Sequence, residues 1–328
     1  VTSAGLFVNG SSTALVGGAS SIDGLSDGKV YGTSFGLGTG ALSNVTNISG
    51  GGVGNTAVGQ NAGGSTTVGS RNSVLGEYAL RYNTTGMQNV AIGSNALEFS
   101  TTASDNTAIG YQSMHITTAG SNSALGHQTL FYNTTGSSNS AIGKEALKAN
   151  TEGHYNTATG AESQKNTYGA TSYNSSFGAR SLYSNVYGVN NTAVGYDALL
   201  ASNSGSNNIG IGKGAGDAIT TGSNNTVIGD LAGTATMAST VLIGAGTTER
   251  LKVTSAGLFV NGSSTALAGG ASSIDGLSDG KSLVNSYGLG TDALSSQTGT
   301  NLKNTAVGYQ SQRGTGASGE ANTSFGYD

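Results

Sequence analysis

Asn55-Thr56-Ala57-Val58-Gly59 returns as Asn72-Ser73-Val74-Leu75-Gly76, then as Asn89-Val90-Ala91-Ile92-Gly93 and Asn106-Thr107-Ala108-Ile109-Gly110. The pattern is Asn, usually Thr or Ser, usually Ala, a branched apolar residue, then Gly. Its closing glycines are Gly59, Gly76, Gly93, Gly110, Gly126, Gly143, Gly160, Gly178, Gly195, Gly212 and Gly229. Eight of their ten intervals are 17 residues, and the other two, 16 and 18, cancel. Self-similarity at a fixed period marks a stacked repeat architecture. It places function on a long repeating surface rather than in one pocket.

Aligned on that glycine, position −4 is Asn in every coil: Asn55, Asn72, Asn89, Asn106, Asn122, Asn139, Asn156, Asn174, Asn191, Asn208 and Asn225. Position −1 is branched or bulky in nearly all, as in Val58, Leu75, Ile92, Leu125, Ile142, Phe177 and Ile211. Position +3 is small, from Ala62 and Ala79 to Ala215 and Ala232, and +4 is often Leu, as in Leu80, Leu97, Leu130, Leu147, Leu182 and Leu199.

A four-residue stretch with β-branched side chains, ended by Gly, reads as a short strand and a turn. Helix is excluded, because Gly at this frequency costs about 1 kcal/mol per residue against Ala. The expected fold is all-β: a parallel β-roll or solenoid of 17-residue coils, stacked about 4.8 Å apart. Each column then becomes a ladder of like side chains. Asn amides can donate to one neighbour and accept from the other, small residues let layers approach, and the Gly opens a turn to positive φ. One coil offers about two large apolar side chains, worth roughly 2 kcal/mol each, against an ordering cost of roughly 1–2 kcal/mol for each residue. Several chains sharing a core around a common axis is the expected remedy, with closed symmetry.

Composition agrees. Gly is 56 of 328 residues and only 9% are charged, as in a low-complexity chain; but disorder gives no reason for an apolar residue to hold one phase over so many units. With no Cys, disulfides and thiolate metal sites are excluded. The absence of Pro suits backbone N–H groups committed to ladders. A net charge of −4 without a basic stripe makes nucleic acid an unexpected partner. No signal peptide and no long apolar run are present, so no membrane span is expected.

A longer repeat overlies the short one. Residues 1–29 return at 253–281 with one change, Val16 against Ala268, and the match continues more loosely through Leu42 and Leu294. NTAVG then stands at 55–59 and again at 304–308. The organisation is a connector or cap at 1–54, a β-roll at 55–246, a second connector at 247–303 and the start of a further roll at 304–328. Glu249-Arg250-Leu251-Lys252 has no counterpart before Val1, so similar residues are expected upstream of Val1 and further coils after Asp328. In the connector, Val253 to Gly262 alternates apolar and small residues and turns at Asn261-Gly262, reading as a strand pair or a strand leading into a hairpin.

Chemistry-bearing residues are sparse. His115, His127 and His154 fall in different columns, so periodicity brings no two together. Glu145 and Glu162 share a column, flanked there by Gln128 and Arg180, and read as solvated side chains. Asp23 with Asp27, and Asp275 with Asp279, form Asp-Gly turns whose spacing departs from a calcium loop. Gly210-Ile211-Gly212 lacks the βαβ setting of a phosphate loop. The pairs Thr84-Thr85, Thr101-Thr102, Thr134-Thr135 and Thr220-Thr221 are adjacent rather than alternating, and read as loop hydroxyls rather than an ice-binding array. Tyr78, Tyr82, Tyr111, Tyr132, Tyr155, Tyr173, Tyr183, Tyr187 and Tyr196 suit either contacts between chains or a sugar-binding face. No catalytic constellation appears, so no enzyme, cofactor or metal is expected.

The motif N-[ST]-A-[VIL]-G-x-x-[AS]-L resembles the head repeats of trimeric autotransporter adhesins, which form left-handed parallel β-rolls wound as trimers. It is equally similar to repeats in bacteriophage tail fibres, and the lead-in Glu249 to Gly257 resembles segments of phage fibres in particular. Roll-type repeats cover 55–246 and 304–326, about two-thirds of the chain. The 17-residue unit is longer than the usual adhesin repeat, and no heptad stalk, neck, membrane barrel or intramolecular chaperone is recognisable. The resemblance implies a section of a homotrimeric phage tail fibre, a rigid shaft in the virion for host attachment. The alternative it leaves open is the head of a trimeric adhesin on the bacterial surface. The implied partners are two further copies of the chain and a host surface glycan or receptor.

Overall fold

The computed structural model describes residues 28–46, 51–262, 280–283, 286–289, 305–307 and 323–325. The chain folds as a parallel β-solenoid with coils of about 17 residues and, among the described residues, no helix. It divides into two compact units, Val1–Asn224 with Ala232–Ala238, and Asn225–Leu231 with Ser239–Asp328.

In the first unit, β1 (Gly28–Tyr31) and β2 (Ser34–Leu37) pair antiparallel. From β2 onward the pairing is parallel, one short strand per coil. The strands are β3 (Thr56–Val58), β4 (Ser73–Leu75), β5 (Val90–Ile92), β6 (Thr107–Ile109) and β7 (Ser123–Leu125). They continue as β8 (Ser140–Ile142), β9 (Thr157–Thr159), β10 (Ser175–Phe177), β11 (Thr192–Val194) and β12 (Ile209–Ile211). Register never slips. Thr107 faces Ser123 across the 16-residue coil and Thr157 faces Ser175 across the 18-residue one. The missing and the extra residue are absorbed in the loop ahead of the next Asn, at Thr118-Ala119 and Tyr168-Gly169-Ala170. There the Asn106 amide reaches the Ala119 carbonyl and the Asn156 amide the Thr171 carbonyl.

Because strand side chains alternate, the −2 residue points inward and its neighbours outward. Ala57, Ala91, Ala108, Ala141 and Ala158 are fully buried, together with the small +3 residues from Ala62 to Ala215 and the +4 column of Leu80, Leu97, Met114, Leu130, Leu147, Leu182 and Leu199. That Leu column has an unexpected backbone. Leu80, Leu97, Leu130, Leu147, Leu182 and Leu199 all have φ between 49° and 52°. A left-handed Leu costs about 1–2 kcal/mol, which its burial, worth about 1.5–3 kcal/mol, offsets. The turn that carries the side chain from the outward strand end into the interior therefore runs through the motif glycine, such as Gly143 at φ 127°, then Glu145 at 58° and Leu147 at 50°.

In the second unit, β13 (Thr226–Ile228) pairs parallel with β14 (Val241–Ala245), and antiparallel pairing follows through β15 (Thr248–Thr254) and β16 (Gly257–Val260). The strand pair expected at 253–262 turns at Ser255-Ala256, where Thr254 faces Gly257, and Asn261-Gly262 makes a second turn with φ of 54° and 70°. A separate sheet holds β17 (Gly280–Leu283), β18 (Ser286–Leu289), β19 (Thr305–Val307) and β20 (Thr323–Phe325). Its antiparallel-then-parallel order, with Gly280 facing Leu289, repeats that of β1 to β4, where Gly28 faces Leu37.

Candidate functional site

Every described coil builds the same two features, an interior amide ladder and an outward −1 side chain, apolar in all but the coil where it is Thr159. The −4 asparagines are buried. The Asn55 Oδ1 accepts the backbone N–H of Asn72 at 2.9 Å and its Nδ2–H at 3.0 Å, and Asn72 serves Asn89 likewise at 2.9 and 3.2 Å. The same order recurs through Asn106, Asn122, Asn139, Asn156, Asn174, Asn191 and Asn208, with N–H to Oδ1 distances of 2.9–3.1 Å. In the second unit the Asn225 Oδ1 accepts the Thr240 N–H at 3.1 Å.

From Asn55 to Asn208 the ladder Nδ2 also donates within its own coil, Asn55 to the Gly69 carbonyl at 2.8 Å, Asn72 to that of Gly86 at 3.0 Å and Asn208 to that of Gly222 at 2.9 Å. The Gly86 carbonyl takes a further bond from Asn83 at 3.1 Å. Asn83 belongs to a second buried polar column at +7, with Thr66, Ser100, Thr117, Asn133, Asn150, Thr167, Asn185 and Ser202. The sequence reading missed this column. Its signal is the recurring Asn-x-x-Gly of Asn83-Gly86, Asn133-Gly136, Asn150-Gly153 and Asn185-Gly188.

The turn glycines sit at φ of 107° to 142°. Space is as decisive as φ: a Cβ on Gly126 would lie 2.6 Å from the Gly143 carbonyl oxygen. The −1 side chains after which these glycines turn face outward. Leu75, Ile92, Leu125, Ile142, Phe177, Val194 and Ile211 are 36% to 51% exposed and share one column along the first unit, with Ile109 and Thr159 in the intervening coils.

The turn after the strand carries charge and rings. Glu145 accepts from Lys165 of the next coil at 2.7 Å and from Lys148 at 3.1 Å, and Lys165 also reaches Glu162 at 3.0 Å. The Lys165 bond outweighs the cost of burial and holds the Glu145 carboxyl down at about 2, while Glu145 raises the Lys165 ammonium above its usual range. The two glutamates are thus bridged by a lysine rather than free in solvent. Arg180 bonds Asp197 at 3.3 Å and the Tyr196 hydroxyl at 3.1 Å. Earlier coils carry a ring column from Tyr82 through Phe99, His115 and Phe131 to Tyr132, with centroids 4.5–5.1 Å apart. Glu98, buried beneath it, lies 3.6 Å from both Arg81 and His115.

His115 lies in that column, His127 stacks on Tyr111 at 5.3 Å, and the His154 Nδ1 accepts the Ser137 N–H at 3.0 Å. Among the described residues no group of three His, Cys, Asp or Glu could hold a metal. Asp23, Asp27, Asp275 and Asp279 lie outside the described residues. In three of the pairs the first Thr spends its hydroxyl on the next coil, Thr84 on the Thr101 carbonyl at 3.0 Å, Thr134 on that of Thr151 at 2.8 Å and Thr220 on that of Ala235 at 3.1 Å. Among the described residues no helix is long and apolar enough to cross a membrane. No protein-family model, curated protein or solved structure matches the chain.

Proposed function

We propose that the chain is a section of a homotrimeric fibre of the bacteriophage tail-fibre kind, with a mechanical rather than catalytic role: a stiff shaft that holds a host-attachment tip away from the virion. The observation that carries this reading is the outward apolar column. Leu75, Ile92, Leu125, Ile142, Phe177, Val194 and Ile211 repeat at every coil or second coil, on the same edge of the turn, about half exposed. Monomeric proteins seldom leave so long an apolar stripe in water, and this one is interrupted only at Thr159. Burying the exposed half of each side chain releases about 1 kcal/mol, and the gain adds along the stack because identical chains meet in register. Rotational closure satisfies every copy at once; the choice of three follows the repeat's resemblance to trimeric fibres.

Light scattering on the chain is expected to give three times its 32.2 kDa mass; a monomer overturns the proposal. Leu125→Asp with Ile142→Asp should dissociate the assembly and leave the β-rich circular dichroism intact. Gold-labelled antibody raised against the chain should decorate the tail appendages of phage particles. Label confined to the bacterial envelope would replace this reading with the adhesin one.

A further inference from the structure

The loop turn ahead of the Asn ladder differs chemically from the turn that follows the strand. Between Thr134 and Asn224 its one formally charged side chain is Glu152, whereas the opposite turn holds Lys144, Glu145, Lys148, Glu162, Lys165 and Arg180. On this neutral turn stand Tyr155, Tyr168, Tyr173 and Tyr187, between 50% and 70% exposed. Two of them are adjacent at one left-handed position, Tyr155 at φ 56° and Tyr173 at φ 61°. Their rings lie parallel, 6° apart in plane with centroids at 5.3 Å.

The backbone ladder fixes what lies beyond that pair. Tyr155 N–H donates to the Ser137 carbonyl at 3.1 Å and Tyr173 N–H to that of His154 at 3.1 Å, so the layer before Tyr155 presents Ser138. A serine side chain is too short to cover a phenol ring, and the Tyr155 ring stands as a ledge one layer deep. Beside it lies His154, its ring centroid 6.5 Å away. Because its Nδ1 accepts the Ser137 N–H, the neutral imidazole carries its proton on Nε2 and offers a donor. The 18-residue coil adds one residue to this same loop, at Tyr168-Gly169, and a Cβ on Gly169 would meet nothing within 4 Å.

We infer that this tyrosine ledge is a saccharide-binding site for an uncharged sugar. The C–H face of a pyranose stacks on an aromatic ring, its hydroxyls need donors and acceptors such as His154 Nε2–H and the Ser138 hydroxyl, and a face with one charge favours a neutral ligand over an anionic one. The ring column from Tyr82 to Tyr132 does not fit that use, since the Arg81 guanidinium lies over the Tyr82 ring at 4.7 Å and pairs with Glu98 at 3.6 Å, which places charge where an uncharged sugar would dock. The inference goes beyond the shaft reading and does not depend on the number of chains.

Affinity electrophoresis in gels containing dextran or mannan tests it. Retardation by at least one is expected, and Tyr155→Ala with Tyr173→Ala should weaken it about tenfold. Tyr82→Ala, in the other ring column, should leave it unchanged, and Tyr155→Phe, which keeps the ring, should retain most of it. No retardation by either polysaccharide overturns the inference. So does equal retardation of the double variant, its fold checked by circular dichroism. Light scattering on the same samples separates the two proposals: a trimer that ignores both polysaccharides removes the ledge and leaves the fibre standing.

Discussion

Ile142 and Leu147 belong to one coil and are equally apolar, yet Ile142 is 46% exposed and Leu147 fully buried. The turn between them, through Gly143, Glu145 and Leu147 itself, carries the chain from the outer edge of the strand to the interior. The interior is already filled by Leu147, Ala141, Ala146 and the buried Asn139 and Asn150. Leu147 is the one large apolar side chain of this coil's interior, and Ile142 lies outside it. The chain therefore completes one core by itself and leaves another column outside it, which the proposed fibre would cover, and the two should respond differently to mutation.

The hardest way to break the comparison is to block the turn that separates the columns. A Cβ on Gly126 would meet the Gly143 carbonyl carbon at 2.7 Å at a φ of 142° that side chains rarely adopt. Backbone cannot yield without disturbing the next coil, so Gly126→Val should cost more than about 4 kcal/mol in urea unfolding. Next come the columns themselves. Leu130→Ala should cost about 2–5 kcal/mol, and Leu125→Ala less than about 1 kcal/mol in a dissociated chain. In the assembled protein the Leu125 variant should lose trimer mass instead; equal loss of chain stability by both would erase the distinction. A finer test uses the left-handed backbone at Leu130, with φ of 51°. Gly ordinarily destabilises more than Ala by about 1 kcal/mol, but Leu130→Gly should be no worse than Leu130→Ala. Breaking the ladder is next in size. Asn122→Ala removes an acceptor from Asn139 at 3.0 Å and leaves buried N–H groups unpaired, at about 1–3 kcal/mol.

The period and the Asn and Gly columns were legible because each rests on one residue type repeated in phase. The direction of the −1 column was not, since periodicity gives a face for each residue but does not say which face is filled. Three left-handed columns were also hidden, because Tyr155, Glu145 and Leu147 occupy them where a turn rule looks for Gly. The clue lay in substitution within a column: Gly63, Gly216 and Gly233 stand where other coils have Leu, Met or Gln. The +7 column escaped because Thr, Asn and Ser alternate in it, and only the shared need for a buried hydrogen-bonding group unites them. The sequence offers nine tyrosines for chain contacts or a sugar-binding face without separating them, and the ring geometry sets Tyr155 and Tyr173 apart from those in the charged turn.

The smallest effect concerns the charged turn that joins the two columns. Glu145 has its carboxyl held at about 2 against an ordinary 4.5 by the Lys165 bond, and Lys165 is held above its ordinary 10.5 by Glu145. A carboxyl depressed by folding contributes stability above its unfolded pKa, and that contribution disappears as pH falls from 4.5 through about 2. The raised lysine contributes below 10.5 and is lost only in strong alkali, so both contributions are present at neutral pH. Lys148 and Lys165 are 25% and 22% exposed, and solvent screening limits the pair to about 1 kcal/mol. Glu145→Gln should therefore melt slightly below wild type at neutral pH and converge with it near pH 2, its own acid loss shallower by that amount. The Ile142 and Leu147 columns carry no titratable group, so their contribution is flat across the same range. Parallel acid melting curves for wild type and Glu145→Gln would mean that the cross-coil pair contributes nothing and that the apolar columns and amide ladders alone hold the turn.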